Sequence, residues 1–276
     1  MARFVGGAVL TKPVSQLTII ATQAVKQILD GPDDPDKLEL ALRLLAKWRS
    51  EMVINTLEAK SGRVVLSGPF KGMNYVVGAS EGARVARLLG CYEASLAPVI
   101  EDIVTRSYDL VIDVGSAEGY YAVGLARRMP LAQVWARDAN PSAQEMCRGL
   151  AAANDVADRV QIGGLMAHAD FDVCRSQNTL VVCDIEGGED DLLDPSRAQG
   201  LLSADILVET HESFQPGLSR KIAERFKATH NLRLIGRKLD DSALPAWMEG
   251  FSDLDRLIAL WEWRGGPTPW LWMERK

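Results

Sequence analysis

Two groups of residues have types and spacings suited to chemistry. The first is Val111-Ile112-Asp113-Val114-Gly115-Ser116-Ala117-Glu118-Gly119-Tyr120-Tyr121, an apolar strand running into a glycine turn that opens a helix. Glycines at 115 and 119 allow tight backbone geometry and close approach of a ligand to the main chain. Ala117 fills the place of the second glycine of G-x-G-x-x-G, where a backbone meets pyrophosphate, and no G-K-[ST] follows. A ligand with a nucleoside but no pyrophosphate fits this turn better. Asp138 lies 23 residues after Gly115, just beyond the next strand. A carboxylate there can accept from both hydroxyls of a ribose, a charge-assisted contact worth roughly 1.5–3 kcal/mol. Its structural alternative is the N-cap of the helix that begins near Pro141.

The second group is Asp184, Glu186, Glu189, Glu209 and His211, which follow two apolar strands. A histidine with a pKa near 6.5 suits proton removal at neutral pH, and its plainer use is a bond to a neighbouring loop. Asp184, Glu209 and His211 in one cleft are candidate ligands for Mg²⁺ or a similar ion that lowers the pKa of a hydroxyl. For Glu186 and Glu189 the plain expectation is solvated first-turn acids that complement a helix dipole. His168 and His230 have no such company.

These residues need a frame. From about residue 108 the pattern alternates, with strands expected at 109–114, 132–137, 158–162, 179–184, 204–209, 232–237 and 269–274. Helices are expected between them at 119–129, 141–153, 188–199 and 216–228. Such alternation predicts a Rossmann-like, doubly wound, mainly parallel seven-stranded sheet, with ligands at the carboxyl ends of the strands. The region 1–95 reads as a mostly helical N-terminal extension and 96–276 as the catalytic domain. Within the extension, helices are expected at 14–29, at 36–59 with Leu38, Leu42 and Leu45 on one face, and at 80–90; a further helix is expected at 93–106. Short strands are expected at 63–66 and 74–77. Five of the seven tryptophans (Trp247, Trp261, Trp263, Trp270 and Trp272) fall in the last thirty residues. Such rings serve a core, a contact between two copies in a homodimer, or the wall of an apolar acceptor site.

Composition narrows the class. The 276 residues carry a net charge of −6 and no cluster of Lys and Arg, which disfavours a nucleic-acid partner. Cys91, Cys147, Cys174 and Cys183 include no C-x-x-C pair, so neither a zinc site nor a redox motif is expected. No uncharged run reaches 18 residues, and no membrane partner is expected. The mildly apolar run 1–10 is interrupted by Lys12-Pro13, unlike a signal peptide. A cytoplasmic protein with reduced thiols is the expectation.

The loop Asp113–Tyr121, the acid at 138 and Val182-Cys183-Asp184-Ile185-Glu186-Gly187 resemble class I S-adenosylmethionine-dependent methyltransferases. D-x-E-G-x-E (Asp184, Glu186, Gly187, Glu189) followed by E-x-H (Glu209, His211) is similar to the FkbM-like branch, mostly small-molecule O-methyltransferases. Leu88-Leu89-Gly90-Cys91-Tyr92-Glu93 resembles the L-L-G-x-Y-E segment of related bacterial enzymes. The likeness spans about 88–212, and Ser116 departs from the Cys, Ala or Gly of many relatives. It implies S-adenosylmethionine as cofactor, held by Asp113, Gly115, Ser116, Gly119, Asp138, Met166 and Asp184, with Gly163-Gly164-Leu165-Met166 near the adenine. It implies methylation of a small-molecule or sugar hydroxyl, with His211, Asp184 and Glu209 as catalytic residues. The rivals are an RNA or protein methyltransferase and a non-catalytic cofactor-binding module.

Overall fold

The computed structural model describes residues 14–79 and 82–276. The run 1–13 and Ser80-Glu81, where the expected 80–90 helix starts, lie outside the described residues. The chain divides into two compact units, one ending at Thr56 and one beginning at Leu57. The second unit takes in residues 57–95 together with the sheet.

The first unit contains helix α1 (Gln16–Asp30) and most of α2 (Lys37–Ser61). Ser15 caps α1 by accepting from the Thr18 amide at 3.2 Å. Trp48 of α2 donates its Nε1–H to the Thr18 hydroxyl at 3.2 Å, linking the two helices. Leu38, Leu42 and Leu45 do share a face, but that face is exposed.

The second unit begins with α3 (Arg84–Leu89) and α4 (Ala97–Ile103). The strands expected at 63–66 and 74–77 reduce to one bridge between Val64 and Asn74. There follow β1 (Leu110–Val114), α5 (Tyr120–Arg128), β2 (Gln133–Arg137), α6 (Pro141–Ala153), β3 (Val160–Gly163), β4 (Thr179–Cys183) and α7 (Glu189–Leu192). The chain closes with β5 (Ala204–Glu209), α8 (Leu218–Phe226), β6 (His230–Ile235), α9 (Asp253–Ala259) and β7 (Trp270–Arg275). The helix expected at 188–199 is only the single turn of α7, followed by a 3₁₀ turn at Gln199–Ser203. Asp194, whose carboxylate accepts from the Ser196 amide and hydroxyl, occupies the break with a turn of its own.

The seven strands form one Rossmann-like sheet in the order β3-β2-β1-β4-β5-β7-β6. Strands β1 to β5 pair in parallel, and β7 runs antiparallel between β5 and β6. The central strands read as mainly apolar runs because both faces are covered. Ile112, Val181 and Ile206 face a core completed by Leu218, Ile222 and Phe226 of α8. Side chains alternate along a strand, so Asp113 points to the opposite face from Ile112. Register aligns Val114 with Cys183 and Cys183 with Val208, so β1, β4 and β5 finish side by side. Among the described residues, no helix is long and apolar enough to cross a membrane.

Gly124 lies in the interior of α5, where Ala ordinarily stabilises a helix by about 1 kcal/mol over Gly. A Cβ there would lie 2.6 Å from the ring of Phe70. That ring is set edge-on against Tyr120 and Tyr121 at 5.3 and 5.8 Å between centroids. Gly124→Ala is therefore expected to destabilise the protein by about 1–3 kcal/mol, measured as a lowered urea midpoint. A raised midpoint would show that Phe70 can give way.

Candidate active site

The loop after β1 is shaped by backbone demands. Gly115 has φ +81°, and a Cβ at this position would run into the carbonyl oxygen of Asp184. Glycine is thus required first for close packing of the β1 and β4 ends, before any ligand is considered. Ala117 takes φ +47°, and its amide donates to Asp138 Oδ2 at 2.9 Å. Asp138 Oδ1 accepts from the Asn140 amide at 2.7 Å. The N-cap of α6 is Asn140, which accepts from Ser142, so Asp138 is not the helix cap. Its carboxylate braces the glycine turn and faces a cavity of about 530 Å³. That cavity is also lined by Gly115, Asn140, Leu165, Met166, Asp184 and Glu186.

A small cavity of about 20 Å³ adjoins it, sharing Gly115, Ala117 and Asp184. Asp113 and Ser116 line it. Asp113 is buried, with Oδ2 lacking a hydrogen-bond partner. Burial foremost pushes its pKa up to about 7, aided by Asp138 and Glu118 and opposed by the Ala122 amide. Gly119 lines neither cavity; at φ +93° it caps α5 and leaves room for Cys147.

A third cavity, of about 320 Å³, meets the 530 Å³ cavity at Glu186. His211, Glu209, Phe214, Glu262, Trp263 and Arg264 are among its walls. His211 is buried and surrounded by carboxylates. Its Nδ1–H donates to Glu189 Oε1 at 2.7 Å. Its Nε2 lies 3.4 Å from Glu186, 3.6 Å from Asp184 and 3.7 Å from Glu209. Burial pushes the imidazole pKa down, but Glu189, Glu209 and Glu186 outweigh it and leave the value raised. Glu189 is not a solvated helix-start acid: it is fully buried and also accepts from the amides of Ile185 and Gly187. Burial drives its pKa up, and those bonds with His211 bring it below the ordinary value. Glu186 reaches His211 from a left-handed backbone at φ +55°, an uncommon conformation for a non-glycine residue. Asp184, Glu186 and His211 each offer a ligand atom, all within 4.8 Å of one another, and two carboxylates with one imidazole suit a divalent cation.

Glu209 finishes β5 in an ion pair with Arg264. Arg264 also engages Glu93, and it meets Glu262 at 3.1 Å. Glu93 further accepts from the Tyr121 hydroxyl and from Trp270 Nε1. Burial, then Glu209, pushes the Glu93 carboxyl up to about 7 against Arg264 and Tyr121.

Thus Asp113, Gly115, Ser116, Asp138, Met166, Asp184, Glu209 and His211 line connected cavities at one sheet edge, and Gly119 stands behind them. Sequence reasoning passed over Glu262 and Arg264, named Glu93 only as the end of the L-L-G-x-Y-E segment and gave it no role, and took Glu189 for a surface acid. Glu93 had that segment as its signal, and for the other two Trp261-Glu262-Trp263-Arg264 alternates rings with charges, a pattern odd for either core or surface. Of the five C-terminal tryptophans, Trp270 and Trp272 are buried in β7 and Trp263 lines the third cavity.

No protein-family model and no curated protein matches the chain by sequence. Several solved structures are similar in shape. The O-methyltransferase from Bacillus cereus, in complex with S-adenosylhomocysteine, is 11% identical with a TM-score of 0.43, over 92% of this chain and 96% of that one. TomG from Streptomyces achromogenes, an O-methyltransferase of tomaymycin synthesis in complex with S-adenosylmethionine, is 11% identical with a TM-score of 0.42, over 93% and 96%. An rRNA methylase from Streptococcus thermophilus is 12% identical with a TM-score of 0.41, over 64% and 94%.

The two buried histidines are expected to titrate on opposite sides of the ordinary 6.5. Burial lowers His230, whose Nε2 bonds the Ala204 carbonyl. His211, held by its carboxylates, titrates above 6.5. Its contribution to stability is therefore complete below the unfolded pKa and lost as pH rises through the folded one. Ring-proton NMR across pH 5–9 reads both values, and Glu189→Gln should bring the His211 value down. A wild-type His211 titrating at or below 6.5 contradicts the assigned geometry.

Proposed function

We propose that the chain is an S-adenosylmethionine-dependent methyltransferase acting on a hydroxyl of a small molecule or sugar, of the FkbM-like kind that its E-G-x-E and E-x-H pieces resemble. One observation carries the reading. A ligand-sized cavity braced by Asp138 meets a second, smaller cavity at Glu186, with His211 on the far side. Ala117 supports a cofactor without pyrophosphate, because its amide is already given to Asp138.

S-adenosylmethionine, when bound, supplies an electrophilic methyl group whose bonding pair stays on sulfur as the group passes to the acceptor oxygen. Asp138 takes the ribose hydroxyls, and Leu165 and Met166 flank the adenine. Asp184 sits between the cofactor and acceptor sides. His211 Nε2 removes the acceptor proton while Glu189 fixes the ring through Nδ1. Proton removal requires the neutral imidazole, so turnover rises with pH through the raised His211 pKa. Arg264 keeps Glu209 in place as a wall of the acceptor side.

A second reading is favoured by the three-donor cluster. Asp184, Glu186 and His211 would hold a divalent cation such as Mg²⁺, which supplies charge that lowers the pKa of an acceptor hydroxyl. Glu209, engaged by Arg264, is then outside the ligand set. Glu189 would keep its place behind the imidazole as an orienting carboxylate.

S-adenosylhomocysteine is expected to raise the melting temperature by mass action. A shift with NAD and none with this thioether sinks the assignment, while RNA binding with a steep salt dependence favours the RNA alternative. For the chemistry, His211→Ala should cut turnover roughly 10²–10⁴-fold with cofactor affinity intact. Turnover unaffected by chelator supports direct base catalysis; turnover abolished by chelator and by Asp184→Asn supports the cation.

A further inference from the structure

The cavity of about 320 Å³ on the acceptor side places an acceptor nitrogen among acids. His211 gives its Nδ1–H to Glu189, so the neutral ring carries a lone pair at Nε2. The side chain is only 4% exposed, and its Nε2 neighbours are carboxylates: Glu186 at 3.4 Å, Asp184 at 3.6 Å and Glu209 at 3.7 Å. Among the described residues no N–H or O–H donates to that nitrogen. A buried lone pair beside carboxylate oxygens is satisfied by a ligand that brings donors to both. The arginines on the cavity wall are committed elsewhere. Arg264 serves Glu93, Glu209 and Glu262, and Arg87 lies 2.6 Å from Glu118 with Tyr92 over its face at 4.3 Å. Glu186 pairs with no Arg or Lys among the described residues. Phe214 stacks on the His211 ring at 5.8 Å between centroids, and Trp263 forms a further wall, stacked on Trp261 at 4.5 Å. Aromatic faces suit both the carbon skeleton of a ring and a cation.

We propose that the methyl acceptor is a cyclic amino alcohol with its amine and its reacting hydroxyl on adjacent carbons, the ammonium held by Glu186 and the hydroxyl by His211 Nε2. This assignment deepens the methyltransferase reading above and rests on it. Nε2 and the Glu186 carboxylate lie 3.4 Å apart, and a hydrogen bond to each spans about 2.7–3.0 Å. The two donors must therefore be close neighbours on the ligand, as groups on adjacent carbons are. A vicinal diol matches that spacing but leaves the Glu186 carboxylate without a counter-charge. An ammonium supplies it. Protonation also decides which atom receives the methyl group: an ammonium nitrogen has no lone pair, so the hydroxyl oxygen is the nucleophile. A divalent cation would satisfy the same atoms, and chelator separates the two.

The probes are trans-2-aminocyclohexanol, its N-acetyl derivative and trans-cyclohexane-1,2-diol. Each is titrated into the full chain saturated with S-adenosylhomocysteine, with chelator present throughout, and binding is read from the ring-proton shifts of His211. The amino alcohol is expected to bind about 5- to 15-fold tighter than the diol, between the range of an exposed ion pair and that of a hydrogen bond to a charged group. N-acetylation removes the charge and should abolish that advantage. Glu186→Gln should bind amino alcohol and diol alike, while S-adenosylhomocysteine still raises its melting temperature. Equal binding of amino alcohol and diol by the parent, binding of neither, or an unchanged preference in Glu186→Gln overturns the assignment and leaves the methyltransferase reading standing. If that variant fails to fold, the N-acetyl probe on the parent decides, and binding as tight as that of the free amine overturns the assignment. A parent that does not bind S-adenosylhomocysteine overturns the methyltransferase reading and this assignment with it.

Discussion

A carboxylate moved out of water must meet a positive charge or a set of donors, and the carboxyl ends of this sheet gather several carboxylates around His211 and Arg264. Glu209 and Glu93 meet on Arg264, Glu189 meets His211 and two amides, and Glu118 meets Arg87 and Tyr75. Most of these contacts tie segments distant in sequence. Arg264, in the segment before β7, joins the end of β5 to the turn before α4; Arg87 joins α3 to the loop after β1. Remove the cations and the acids repel one another, so the cleft's shape and its charge are one problem.

That coupling also explains how much could be read from the residues alone. The sheet was legible because β1, β4 and β5 are long apolar runs separated by helical spacing, and both kinds of pattern are local. Gly115 and Asp138 were legible as a pair because a βαβ unit sets their separation. The roles of Arg264, Glu93 and Arg87 were not, since a charged residue announces no partner until the fold supplies one from far along the chain. Glu189 misled for a related reason: its place in the first turn of α7 is what a surface acid would show, and only the position of His211 explains its burial. The overlong helix at 188–199 arose from composition, with a local turn at Asp194 winning over helix propensity.

Several residues near the cleft serve structure and recognition at once. Asp138 uses both oxygens on backbone amides while still facing the large cavity; each carboxylate oxygen has a second lone pair to offer. Gly115 lines two cavities, yet the Asp184 carbonyl is what forbids a side chain there. Substituting such a residue changes shape and binding together.

The placement of β7 bears on how the molecule assembles. It pairs with β5 on one side and β6 on the other, although it follows both in the chain. Until the segment around Trp270 docks, β5 presents an open edge and β6 has no partner in the sheet. Closing the β5–β7 pair joins residues about sixty positions apart, so a long loop must be ordered before any ladder bond rewards it. The final strand is thereby a late, non-local step in folding, and an exposed β5 edge before it docks is where the nascent sheet is open to pairing with another chain.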